Sequence, residues 1–228
     1  MCCTSVAEFA EVCQKEITKF EADIELDTSD GKTVTLLRFV SKLFYKDGTG
    51  DPLYASSYIL SQGIQKIPIM NYRGPRLNVL FYNAAGTCCW AKHLIDYIQN
   101  SKSTMNFTVT YILKALMNNI ILALCRALAI LCKIITEPYL DRSSDETTTA
   151  LSMGNVYGRL IHVLEISSDN PHLLLSNNIS GLTKPGEVGE IFSLFRLKSL
   201  SLDYKAKLKS PCFFLQVTLF LQIIFILW

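Results

Sequence analysis

The chain has 228 residues, of which half are hydrophobic and 18% are charged. This composition supplies ample apolar side chain for a folded core and excludes disorder over most of the chain. The formal net charge of +2 is too small to indicate a nucleic-acid-binding or membrane-binding surface by itself.

Hydrophobic periodicity predicts a mainly α fold, an irregular helical bundle followed by a C-terminal hydrophobic segment. In chain order, an amphipathic helix of about five turns is expected from residue 5 onward. Shorter helices are expected over 34–45 and 53–60, where apolar residues recur every three or four positions. Residues 64–76 contain two prolines and a glycine, which predict an extended connector. The apolar run 77–86 suits either a strand or the start of a helix.

Residues 111–138, "YILKALMNNIILALCRALAILCKIITEP", are apolar enough to suggest a transmembrane helix. Asn119, Arg126 and Lys133 recur every seven residues, however, and form one polar line that drifts by only about 20° per step. A charge near the bilayer centre costs roughly 2.5–3.5 kcal/mol. The pattern therefore predicts a single long core helix of a soluble bundle.

The second half of the chain changes in composition along its length. After a further predicted helix, residues 167–188 are rich in Ser, Asn, Gly and Pro, as is typical of a linker. The predicted organisation is a helical domain 1–166, a loop or linker 167–188, a basic helical segment 189–210 and a hydrophobic tail 211–228.

The strongest candidate for a metal site is formed by Cys88, Cys89 and His93. Cys89 and His93 lie four residues apart, so on a helix both could face one ion. A structural zinc site needs more ligands than this group supplies, and the other histidines are isolated in sequence. We interpret Cys88 and Cys89 as small buried thiols and His93 as a helix-surface side chain. We expect no metal, no cofactor and no catalytic residue, since no phosphate loop, G-x-S-x-G or HExxH occurs.

Two stretches, "YRGPRLNVLFYNAAGTCCWAKHLIDYI" and "CRALAILCKIITEPYL…MGNVYGRL", resemble segments of uncharacterised animal proteins derived from hAT-like DNA transposases. The resemblance covers about residues 33–166 and rests on short hydrophobic phrases. Such transposases combine a ribonuclease-H-like α/β fold with a helical insertion, and two aspartates and a glutamate hold divalent metal. No aspartate or glutamate here stands in that motif context. The resemblance thus implies the helical part alone, without the nuclease core.

Residues 211–228, "PCFFLQVTLFLQIIFILW", contain no charged side chain. As a helix of 18 residues they would reach about 27 Å, against a hydrocarbon core of about 30 Å. Lys205, Lys207 and Lys209 precede them, which predicts a cytosolic N-terminal domain, and Trp228 suits the far interface. Two alternatives stay open: a buried core helix or strand, and an aberrant or remnant ending.

These patterns together predict a non-catalytic helical interaction or scaffold protein that is tail-anchored in a membrane through residues 211–228. Its protein partner is not identified by the sequence. The alternative is a catalytically inactive, soluble remnant of a hAT-like transposase, located in the nucleus or cytoplasm, with nucleic acid as a partner.

Overall fold

The computed structural model describes the first helices of the chain in most detail. The described residues are 13–15, 17–22, 24–26, 31–45, 52–63, 69–72, 77–100, 106–132, 136, 149, 158–159, 162 and 165–166. Of these residues 83% are helical and none belongs to a strand. The predicted mainly α fold is therefore confirmed.

Five helices are described over their full length, after an N-terminal helical segment that includes residues 13–15 and 17–20. They are α1 (Lys32–Phe44), α2 (Pro52–Ser61), α3 (Leu77–Asn100), α4 (Phe107–Leu116) and α5 (Asn119–Leu131). The predicted helices at 34–45 and 53–60 correspond to α1 and α2. The ambiguous run 77–86 is the start of α3.

Helix α1 is the centre of the described packing. It contacts α2, α3 and α4, and Leu36, Leu37 and Val40 have no exposed surface. Its sequence carries apolar residues on more than one face, which is typical of a helix with neighbours on several sides. The prediction that residues 111–138 form the central core helix is wrong for the described residues, because α1 has the central position.

Residues 69–72 are non-helical and connect α2 to α3 in the chain, in agreement with the predicted connector, and side chains of α1 and α3 bond to them. The Asn83 side chain accepts a hydrogen bond from the Met70 N–H at 2.7 Å and donates to the Met70 carbonyl at 3.0 Å. The Ser41 hydroxyl donates to that carbonyl at 2.9 Å and accepts from the Tyr72 N–H at 2.8 Å. Buried Asn83 and Ser41 thus satisfy the backbone of a segment that has no helical bonds of its own.

The prediction of one helix over 111–138 is wrong for the described part of that stretch. The chain forms α4 and α5 instead, and their axes meet at 82°. The Asn118 side-chain oxygen accepts hydrogen bonds from the N–H groups of Ile120 at 2.9 Å and Ile121 at 3.2 Å. Asn118 therefore starts a new helix where the apolar periodicity alone indicates continuation. Lys133 lies outside the described residues.

The chain divides into two compact units, Met1–Ala129 and Ile130–Trp228. The first unit contains α1 to α4 and most of α5. In the second unit the described residues are few, and the Thr136 hydroxyl donates to the Cys132 carbonyl at 3.2 Å. The division falls earlier in the chain than the predicted linker. Residues 167–188, 189–210 and 211–228 lie outside the described residues, so their assignments stay predictions.

Candidate functional site

The residues of the candidate metal site lie together on α3. Cys88, Cys89 and His93 are all half-buried, and the Trp90 and His93 rings are 5.1 Å apart between centroids. Among the residues that the structure describes, no group of three or more His, Cys, Asp or Glu side chains is arranged to hold a metal ion. The described surroundings of His93 include the indole of Trp90, an aromatic neighbour that is not a ligand.

Two thiols of the first unit have an environment that disfavours ionisation. Burial raises the pKa of the Cys88 thiol from 9.0 to about 11, while the positive charge of Arg126 lowers it by a smaller amount. Burial also raises the pKa of Cys125 well above 9.0, and smaller electrostatic interactions with the Cys88 sulfur and the Glu21 carboxyl group raise it further. Both residues are therefore thiols at neutral pH, and a thiol is a poor nucleophile and a poor metal ligand.

Glu21 has a structural role that the sequence did not reveal. It is almost fully buried, and its carboxylate accepts the Lys32 N–H at 2.5 Å and the Thr33 N–H at 2.7 Å. The Lys32 ammonium donates to the Glu21 carbonyl at 2.6 Å. Glu21 thus caps α1, whose own N-cap residue, Gly31, has no side chain to do so. The available sequence signal was Gly31 directly before the predicted helix, since a glycine at the N-cap leaves the helix without a capping side chain of its own.

Large apolar side chains are exposed on α2. Leu53 is 79% exposed, and Tyr54 and Leu60 are also exposed. The Tyr97 ring of α3 lies 6.1 Å from the Tyr54 ring and 5.3 Å from the Tyr58 ring, between centroids. One side of α2 thus packs on α3 through aromatic rings, while Leu53 and Leu60 face away from the described core.

A second set of exposed apolar residues lies where α4 meets α5. Met117 is 64% exposed and Ile120 is 48% exposed, and the exposed Lys114 lies one turn before Met117. Asn118, between Met117 and Ile120, caps α5. We name Lys114, Met117 and Ile120 the bend surface. The predicted single helix over 111–138 gave no indication of the bend surface, because it placed Met117 and Ile120 within a continuous helix and not at a bend.

Within the described part of the chain, no single helix has both the length and the apolar character to cross a membrane. Helices α4 and α5 reach that length and composition only as a pair, and the pair is bent by 82°. The predicted membrane-flanking residues Lys205, Lys207, Lys209 and Trp228 lie outside the described residues, as does the tail itself.

No family model matches the chain, and neither curated proteins nor solved structures give a match. The resemblance to hAT-like transposase derivatives therefore stays a prediction.

Proposed function

We propose that the chain is a non-catalytic helical interaction or scaffold protein that is held at a membrane by residues 211–228, with its helical N-terminal part in the cytosol. One observation carries this proposal: a run of 18 residues without a charged side chain follows directly after Lys205, Lys207 and Lys209. A run of that length approaches the thickness of the hydrocarbon core. The lysines favour retention of the preceding segment on the cytosolic side.

Interaction rather than chemistry is supported by the side chains of the first unit. The raised pKa values of Cys88 and Cys125 keep these two side chains in the unreactive thiol form. The exposed Leu53 and Leu60 of α2, by contrast, offer apolar area to a protein partner. Attachment to a membrane would present that helix to other proteins at the same surface.

The test is alkaline carbonate extraction of membranes from cells that express the full chain. The informative variant carries Leu219→Arg and Phe220→Arg, at the centre of residues 211–228. Each arginine opposes insertion by about 2.5–3.5 kcal/mol, so we expect the variant to leave the membrane pellet. The original chain should stay in the pellet.

A matched control carries Leu219→Val and Phe220→Leu, which keep the segment apolar. We expect this control to behave as the original chain does. If the arginine variant and the control are both extracted, or both stay in the pellet, residues 211–228 are not the anchor.

A second candidate is the soluble remnant of a hAT-like transposase that the sequence resemblance implies. It is favoured by the helical conformation of residues 77–100, which lie inside the resembling region. Binding of the full chain to duplex DNA would support this candidate over the first if the logarithm of the binding constant falls linearly with the logarithm of the salt concentration.

A further inference from the structure

We propose that the bend surface, Lys114, Met117 and Ile120, contacts an anionic lipid surface. This contact would be separate from residues 211–228 in sequence and would hold the helical unit against the bilayer. This inference rests on the proposed membrane attachment, because that attachment makes a weak second contact effective. The residues and the test of the second contact are separate from those of the anchor.

The exposed side chains of α4 are the first observation. Along α4 and its C-cap, the exposed residues are Phe107, Lys114 and Met117. Phe107 and Lys114 are seven residues apart, so they lie within about 20° of each other around the helix. Two of these three positions are large apolar groups and the third is a cation. Apolar side chains beside lysine are typical of helices that lie in a membrane interface.

The bend places apolar groups from two helices at one corner. Met117 ends α4 and Ile120 lies in the first turn of α5, and the helices diverge from there at 82°. The hydrogen bonds from Ile120 and Ile121 to Asn118 fix this corner. Asn119 is also exposed at the corner. An amide beside the two apolar groups suits the headgroup boundary, where water is still present, rather than the hydrocarbon centre.

The charge of this part of the chain identifies the lipid. Lys114 is the exposed cation of the bend surface, and the sequence between Asp96 and Glu137 contains no acidic residue. No acidic side chain in that stretch repels a negative headgroup. Each cation close to an anionic membrane surface strengthens binding by about fivefold. The complementary partner is therefore a bilayer that contains phosphatidylserine or another anionic lipid.

The anchor makes a weak contact of this kind effective. A few exposed side chains give little affinity for a free protein. Once residues 211–228 hold the chain at the bilayer, however, the second contact becomes intramolecular and no longer needs a separate encounter from solution. We expect the bend surface to act as the second of two membrane signals.

The test places a fluorescent reporter on the bend surface of the full chain. Met117→Trp is introduced together with Trp228→Phe, which leaves buried Trp90 as the remaining background. The protein is mixed with phosphatidylcholine vesicles that have brominated acyl chains, with or without phosphatidylserine. We expect bromine to quench the tryptophan at 117. Omission of phosphatidylserine should lower this quenching by up to about fivefold, because Lys114 then has no anionic partner.

Leu53→Trp in the same background is the matched control, because position 53 is also exposed but lies on α2. It should not be quenched. If both reporters are quenched equally, or neither is while the protein still sediments with vesicles, the bend contact is wrong and the anchor stands. Emission at 117 that shifts with protein concentration in the absence of vesicles would assign this surface to a second copy and overturn the inference.

Failure of the anchor has a different signature. The two arginine substitutions at 219 and 220 can be added to the Met117→Trp chain. If that chain still sediments with phosphatidylserine vesicles and its reporter is still quenched, the bend contact is correct and the anchor is wrong. If the chain with residues 211–228 intact sediments with no vesicles, both proposals fail.

Discussion

Glu21 is a buried acidic residue whose two carboxylate oxygens both accept backbone N–H groups of α1. The partial positive charge of a helix N-terminus favours a carboxylate there. A side chain at position 31 could not easily replace it. An added Cβ on Gly31 would lie 3.2 Å from the Thr18 hydroxyl oxygen, closer than most real Cβ contacts, and would touch a Glu21 oxygen at 3.4 Å. Glycine at 31 and glutamate at 21 thus form one capping arrangement.

Glu21→Gln should destabilise the fold. The amide of glutamine can accept one of the two N–H groups, but its NH₂ group faces the other donor. We expect the free energy of unfolding to fall by about 1–2 kcal/mol, since a charge-assisted hydrogen bond is lost in a buried place. Urea unfolding followed by circular dichroism measures this change. Glu25→Gln is the control, because Glu25 is exposed; equal losses for both variants would contradict the capping role.

Cys88 predicts a pH dependence of stability. Its thiol pKa is raised from 9.0 to about 11 in the folded chain, so the folded state holds the proton more tightly than the unfolded state. The resulting stability is fully present below pH 9 and is lost as the pH rises toward 11. In Cys88→Ala the unfolding free energy, measured in urea at several pH values across that window, should fall less steeply.

Cys88→Ser is the companion variant, since serine keeps a polar group of similar size but does not ionise in this range. Both variants should share the shallower slope, even if their absolute stabilities differ. Parallel loss of stability in the original chain and both variants would show that Cys88 does not titrate differently on unfolding.

At the scale of elements, the break between α4 and α5 shows the limit of periodicity. Apolar residues continue at helical spacing on both sides of Asn118, so the pattern predicts one rod. A single side-chain oxygen that accepts two N–H groups is enough to start a second helix. The adjacent asparagines 118 and 119 were the available signal, because asparagine is among the preferred N-cap residues.

Asn118→Ala removes this cap. We expect the unfolding free energy to fall by about 1 kcal/mol, as for other N-cap substitutions to alanine. Thermal and urea unfolding of the full chain measure the loss. Asn119→Ala is the matched control, since Asn119 is the exposed neighbour that begins α5. A larger effect at 119 than at 118 would place the helix start elsewhere.

The sequence predicted well those helices and connectors that depend on the spacing of neighbouring residues along the chain. Helices α1 and α2 follow from apolar residues at spacings of three and four, and the connector at 69–72 follows from flanking proline and glycine. The central position of α1 and the cap at Glu21 could not be predicted. Both depend on which distant residues meet after folding, and one chain's periodicity holds no information on that.

At the scale of the whole molecule, the proposed function depends on the difference between the helical first unit and the uncharged, apolar segment 211–228. The described part of the first unit is mainly helical and presents apolar side chains on α2 and at the bend surface. The proposed anchor lies far along the sequence, at 211–228. The sequence predicted this division of roles from composition alone, whereas the bend surface emerged only from the exposure of individual residues in the fold.

The start of α1 depends on a residue that is synthesised much later in the chain. The start of α1, which Glu21 caps, is also held by Tyr111 of α4, whose hydroxyl donates to the Lys32 carbonyl across 79 residues of chain. At about 5–20 residues per second a ribosome needs roughly 4–16 s to add that stretch. During this interval the apolar faces of α1 have no α4 to cover them. Until then the bond between Tyr111 and Lys32 and the packing of α4 on α1 cannot form, so this part of the fold is completed only after residue 111 has been added.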